Sequence, residues 1–309
     1  MRHGHGRRPG AAGWGGAAAA PVAGSRWTVI PTRTLPAMAS LRFRCLLLAV
    51  LCLLLPASVA AAPRLVRAHD VAIAYTETGS GPPLVLIHGF GDCGSAWEPF
   101  TAELGKHYRV IAMELRGHGS SADFEGPFLF EDSARDLLAL LGHLGLDRVR
   151  AMGISAGGMT LLHAAVQAPG RIEAMAVIGA AHYFPEQARE IMRGTPGNLP
   201  PEVRAGFERC ATRGAAQVDG LLQRFHGFKD NDDDIRLSPR ELGTIQARTL
   251  IVHGDRDVFF PVDIPLEVYA AIPDAQLWIV PGGDHVPIYG HNQEAFMDTV
   301  LRFLAGTAP

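Results

Sequence analysis

The stretch "LVLIHGFGDCGSAW", Leu84 to Trp97, admits two readings, and the fold depends on which one holds. Gly89, Gly91 and Gly94 spell G-x-G-x-x-G after an apolar run, and Glu114 stands 20 residues past the last glycine. An acid at that distance suits a ribose hydroxyl, so the letters approach a dinucleotide-binding fingerprint. The same letters contain His88-Gly89-Phe90, a turn whose backbone amide can face a developing alkoxide. The nucleotide reading wants the glycines at the first strand of the domain. Here they follow the second strand-like run, and Glu114 leads into "LRGHGSS", a tight turn rather than the remainder of a nucleotide unit. The oxyanion reading is the one that fits.

Working outward, apolar runs recur at "VAIAYTE", "LVLIHG", "YRVIAME", "VRAMGIS", "IEAMAVIG", "TLIVHG" and "QLWIVPG". Several are apolar at nearly every position, as strands buried on both faces of a parallel sheet must be. Segments with helical spacing lie between them, from "SAWEPFTAELGKH" to "NQEAFMDTVLRFLAG". The pattern predicts a doubly wound α/β domain with a mostly parallel sheet. The alternation breaks once, between His182 and Gln246, where the text turns helical, Pro-rich and polar. Residues 182–246 therefore read as a small helical cap inserted late in the sheet, with residues 62–181 and 247–309 as the two parts of the core.

"MGISAGGM", Met152 to Met159, supplies the chemistry. Gly153-Ile154-Ser155-Ala156-Gly157 is G-x-S-x-G at a strand-to-helix turn, the context that gives the motif meaning. Such a turn lifts the serine hydroxyl above the sheet edge, at the positive end of the following helix. A serine is a poor nucleophile without a base, and the base needs a carboxylate to orient it. On this architecture the order is Ser, acid, His. Asp255 and Asp257 both follow the run "TLIVHG", and His285 follows the last run and precedes the closing helix; His291 is a poorer second base. The oxyanion donors would be the backbone amides of Phe90 and Ala156. The base must be neutral to take the serine proton, so activity should rise with pH.

With these motifs the chain resembles a serine hydrolase of the α/β-hydrolase superfamily, in the capped group of esterases, lipases, C–C bond hydrolases and cofactor-free haloperoxidases. The resemblance covers roughly residues 66–181 and 247–309, through "HGFGDCGSAW", "RGHGSS", "GISAGG", "GDRD" and "GGDH". It implies Asp257 as the acid, because the second Asp of G-D-x-D takes that role. It also implies an acyl-enzyme intermediate and no cofactor or metal. Glu114 departs from the pattern, which usually ends that strand in Asp. The expected substrate is a small-molecule carboxylic ester with an apolar acyl group. C–C hydrolysis by the same triad, or a small-molecule receptor on a hydrolase scaffold, are the alternatives.

The first sixty residues carry no core. Residues 1–36 are rich in Gly, Ala, Pro and Arg, and "MASLRFRCLLLAVLCLLLPASVAAAP" has the basic, apolar and small-residue regions of a secretory signal. Residues 1–61 are thus expected to be leader and signal, with Met38 the more natural start, a mature chain from about Ala61, and a secreted or periplasmic destination. The apolar run Cys45–Leu55 is too short for a stable membrane span, which needs roughly 20 residues. Residues 1–62 hold seven of the 28 basic residues and none of the 31 acidic ones, leaving a mature net charge of −10. That charge gives no electrostatic case for nucleic acid. Cys93 and Cys210 remain, and their pairing is open. "DNDDDIRLSPRE" imitates a calcium loop but has Ile235 where Gly belongs, so it reads as a solvated acidic turn. Six of the cap's arginines, Arg189, Arg193, Arg204, Arg209, Arg213 and Arg224, read as a solvated face. Its apolar residues Phe184, Ile191, Met192, Leu199, Val203, Phe207, Leu221, Leu222, Phe225 and Phe228 exceed what a solvated loop needs and should partly roof a pocket over Ser155. The sequence carries no signal for an oligomeric state.

Overall fold

The computed structural model describes residues 62–232 and 234–307, so the leader, signal and start expected over residues 1–61 lie outside it. Among the described residues, eight strands form one sheet: β1 (Arg64–Ala68), β2 (Val71–Thr78), β3 (Pro83–Ile87), β4 (Arg109–Met113), β5 (Val149–Ile154), β6 (Ile172–Ile178), β7 (Arg248–Gly254) and β8 (Ala275–Val280). Their order is β1-β2-β4-β3-β5-β6-β7-β8. β1 and β2 run antiparallel to their neighbours, and every pairing from β4 onward is parallel.

The inner apolar runs become strands because both of their faces are covered, whereas β8, at the sheet edge, is only partly buried. In β3, Val85 and Ile87 enter one hydrophobic cluster while Leu84 and Leu86 enter the other, the period-two alternation of a strand buried on each side. The first cluster receives helices α2 (Phe130–His143), α3 (Ala156–Gln167) and α8 (Asp263–Ala271). The second receives α1 (Glu98–Leu104) and α9 (Gln293–Ala305), through residues such as Phe100, Leu104, Phe296 and Val300. β1 is the strand that the apolar runs did not disclose: its burial alternates, and Arg64 and Leu65 are exposed. An edge strand that covers only one face needs no continuous apolar run.

Between β6 and β7 the chain forms α4 (Glu186–Gly194), α5 (Pro201–Cys210), α6 (Ala215–Gly227) and the short α7 (Pro239–Leu242). Phe207, Val218, Leu221 and Leu222 pack into a small cluster of their own, so Leu221 and Leu222 belong to the packing share of the insertion. Three arginines depart from the expected solvated face. Arg213 donates to the carbonyls of Gly117 (2.9 Å) and Ser121, and Arg224 donates to the carbonyls of Phe124 and Gly126 while lying 4.2 Å from the Phe124 ring centroid. Arg189 is buried and ties together the carbonyls of Phe184, Phe228, Lys229 and Asn231 with the Asp232 carboxylate. Arg193 and Arg204 do pair with exposed acids at the surface. In the acidic turn, Asp230 meets Lys229, Asp232 meets Arg189, and Asp234 accepts the Phe130 and Glu131 amides at the start of α2. No helix among the described residues is long and apolar enough to cross a membrane.

Candidate active site

The G-x-S-x-G turn joins β5 to α3. Ser155 holds φ 49° and ψ −114°, a region that L residues with a side chain seldom occupy. The turn closes only because its flanks lack Cβ atoms. One on Gly153 would lie 2.5 Å from the Gly157 carbonyl carbon, and one on Gly157 would run into the Ile87 carbonyl. The Ser155 side chain therefore stands at the N-terminus of α3, where unpaired amides carry a partial positive charge.

Two loops from the far end of the sheet reach the serine. Ser155 Oγ–H donates to His285 Nε2 at 2.9 Å, and His285 Nδ1–H donates to Asp257 Oδ2 at 2.8 Å. Asp257 Oδ1 accepts the amides of Phe259 (2.7 Å) and Phe260 (3.1 Å). Burial alone would raise the Asp257 carboxyl, but the bond to and charge of His285, with those two amides, outweigh it and hold the group below its ordinary value. The Phe259 and Phe260 rings pack 4.7 and 5.4 Å from the imidazole. Asp255 points elsewhere: its Oδ1 accepts the Gly282 amide at 2.6 Å and so ties the acid loop to the histidine loop. His291 lies exposed in a 3₁₀ turn before α9.

The opening stretch resolves against a nucleotide. Glu114 accepts the amides of Gly94 (3.4 Å) and Ser120 (2.6 Å), so the acid that imitated a ribose partner pins its own neighbouring loops. His88 is fully buried; its Nδ1–H donates to the Gly89 carbonyl at 2.7 Å while Nε2 accepts the Leu115 amide at 3.1 Å. These two bonds fix the tautomer and hold the turn that carries Phe90. Among the described residues no protein acceptor engages the amide of Phe90 or of Ala156. Reading the letters named the turn but gave His88 no task, because its partner Leu115 is 27 residues away.

Above the serine lies a chamber of about 410 Å³. Eight phenylalanines line it, among them Phe90, Phe207, Phe225 and Phe228, joined by Ile191, Met192, Leu199 and Val203 from the insertion. Apart from His285, the one titratable side chain in the wall is Asp92, whose Oδ1 accepts the Cys93 amide at 2.9 Å. Cys93 and Cys210 form a disulfide, which joins the Phe90 loop to the end of α5. The Phe207 ring occupies the space where Gly91 would otherwise carry a Cβ.

Comparisons with known proteins agree with this architecture. Residues 82–226 match the family described as alpha/beta hydrolase fold. The chain is 30% identical over 236 residues to the human protein named serine hydrolase BPHL, covering 71% of this chain and 79% of that one. It is 25% identical to a 2-hydroxy-6-oxo-6-(2'-aminophenyl)hexa-2,4-dienoic acid hydrolase of Metapseudomonas resinovorans, covering 79% of this chain and 91% of the relative. The solved structure of an esterase from Rhodococcus sp. ECU1013 superposes with a TM-score of 0.63 at 22% identity, covering 80% of this chain and 100% of its own.

Proposed function

This chain belongs to the alpha/beta hydrolase family, and from that premise we propose that it is a serine hydrolase of carboxylic esters with apolar acyl groups. Ser155 is the nucleophile, His285 the base and then the acid, and Asp257 the orienting carboxylate. The amides of Phe90 and Ala156 receive the oxyanion. One observation carries the reading: the hydrogen-bonded Ser155, His285 and Asp257 open into a phenylalanine-walled chamber.

In acylation, Ser155 Oγ attacks the ester carbonyl as His285 Nε2 takes its proton. The imidazolium is steadied by Asp257, and the two free amides bind the charge that develops on the carbonyl oxygen. Collapse expels the alcohol with the proton from His285. Water, activated by the same imidazole, then releases the acid.

The second reading, C–C hydrolysis, uses the same three side chains. The Metapseudomonas relative is by its name a hydrolase of a dienoic acid. A carboxylate held in a dry pocket needs a cation or several donors. The described chamber wall has no Lys, Arg, Asn or Gln, and its one carboxylate would repel such a substrate. An ester with a neutral acyl half fits better. The disulfide, together with the signal-like residues 38–60, supports export to an oxidising compartment as part of this proposal.

The test is labelling by a fluorophosphonate followed by kcat/KM for p-nitrophenyl acetate, butyrate, hexanoate, octanoate and palmitate. Ser155→Ala should abolish labelling and lower turnover by roughly 10⁴-fold or more while the fold is kept. Specificity should peak between butyrate and octanoate, with each buried methylene contributing at most about 0.8 kcal/mol. Absence of both labelling and turnover would overturn the proposal, and a steady rise to palmitate would replace the closed chamber by an open groove.

A further inference from the structure

The chamber over Ser155 has a neighbour of different character. A second cavity of about 480 Å³ shares Ile191, Leu199, Pro200 and Val258 with it. Its remaining walls are Gln187, Glu190, Gly194, Thr195 and Asn198, polar or small where the chamber is aromatic. The two spaces thus adjoin across these four residues, one with aromatic walls and the other with polar ones.

The insertion is fastened unevenly around these two spaces. On the side of the Phe90 loop it is held by the Cys93–Cys210 disulfide. Thr212, Arg213 and Gln217 add donations to the carbonyls of Gly117, Gly119 and Ser121. Toward Val258 and the helix that follows it, two side-chain hydrogen bonds join it to the core among the described residues: Gln187 Nε2–H donates to the Val258 carbonyl at 2.7 Å, and His182 Nε2 lies 3.0 Å from Glu267 Oε2. An ester whose acyl half fills the phenylalanine chamber must send its alcohol half somewhere. The lightly fastened side with a cavity behind it is the available exit.

Glu190 gives that exit a charge. The two arginines of the same helix are committed elsewhere, Arg189 to Asp232 and Arg193 to Glu186. Among the described residues no cation pairs with Glu190, and no Lys, Arg or His lines the second cavity. We propose that this cavity is the leaving-group subsite of the hydrolase and that Glu190 selects esters of cationic alcohols. The inference rests on the ester reading above and names the second half of its substrate. In the step concerned, Ser155 Oγ bonds to the acyl carbon and the bond from that carbon to the alcohol oxygen breaks. His285 delivers the serine proton to that oxygen, so the alcohol leaves with its hydroxyl restored and its positive charge untouched.

The experiment compares kcat/KM for hexanoylcholine and for its uncharged isostere 3,3-dimethylbutyl hexanoate, with 3-sulfopropyl hexanoate as the anionic member. Wild type, Glu190→Gln and Glu190→Lys are run side by side, with p-nitrophenyl hexanoate as a common reference. A single exposed carboxylate should favour the choline ester about two- to fivefold over the isostere. The ratio should fall to about one in Glu190→Gln and invert in Glu190→Lys, where the sulfonate ester should gain. Equal ratios in all three proteins, while the esters are still hydrolysed, would overturn the subsite and leave the ester reading standing. A cation preference that survives both substitutions would also overturn it and move recognition to Asp92. If none of the four esters is hydrolysed, the ester reading falls and the subsite falls with it.

Discussion

Ser155 shows how much a single backbone angle can say. Its positive φ stores strain on the order of 1–3 kcal/mol, which the packed turn between β5 and α3 sustains. The letters G-x-S-x-G were enough to place it, because the flanking glycines are where the chain comes too close for a Cβ. The acid was harder to read. Asp255 and Asp257 stand two residues apart after the same strand, and spacing alone does not separate them. Only the fold shows that one reaches His285 while the other caps the turn at Gly282. Asp257→Asn should therefore lower kcat by roughly 10⁴-fold, because it leaves the imidazole in the wrong tautomer. Asp255→Asn should cost less than about tenfold, since the amide oxygen can still accept the Gly282 N–H and no reacting atom is touched. Steady-state kinetics on both variants check this, and the reverse ranking would move the catalytic acid to Asp255.

At the scale of elements, the insertion depends on contacts that no local pattern encodes. Arg213 and Arg224 sit at ordinary helical spacing, and their partners are carbonyls about a hundred residues earlier. A guanidinium satisfied by backbone oxygens looks, in letters, like any solvated arginine. The disulfide is illegible for the same reason: two cysteines 117 residues apart carry no sign of the 5.6 Å between their Cα atoms. A cross-link over that separation restricts the unfolded chain strongly. The double substitution Cys93→Ser with Cys210→Ser should lower stability by about 3–5 kcal/mol. Urea unfolding midpoints of the two proteins, with m-values compared, measure it; a loss under about 1 kcal/mol would mean the bond constrains little.

Across the whole molecule, the seven apolar runs became seven strands; the inner ones are apolar because both of their faces are covered, while β8 is a half-buried edge strand. β1 escaped because an edge strand keeps polar residues on its open side. Sheet order, too, lay beyond the letters. Burial has a further global effect through histidine. Burial holds the imidazoles of His88, His118 and His253 below the ordinary value and pushes His163 down to about 4. The folded protein keeps His163 neutral, whereas the unfolded chain protonates the same ring near 6.5. Between those values the unfolded state binds more protons, so stability falls as pH drops from about 6.5 to 4, by about 3 kcal/mol for His163 alone. Urea titrations at pH 7 and 4.5 should show a smaller acid loss in His163→Gln than in wild type, by about 2–3 kcal/mol. Equal losses would remove His163 from the account.

The path of the chain carries one more consequence. The bond between Cys93 and Cys210 closes a covalent ring that contains β4, β5 and β6 and hence Ser155, while Asp257 and His285 lie on the tail outside it. Scission of any one peptide bond between those cysteines opens the ring without dividing the molecule, and the exposed run 196–198 lies in that interval. A nicked enzyme would migrate as a single species without reductant and as two fragments with it, and the serine would remain tethered to its partners across the break.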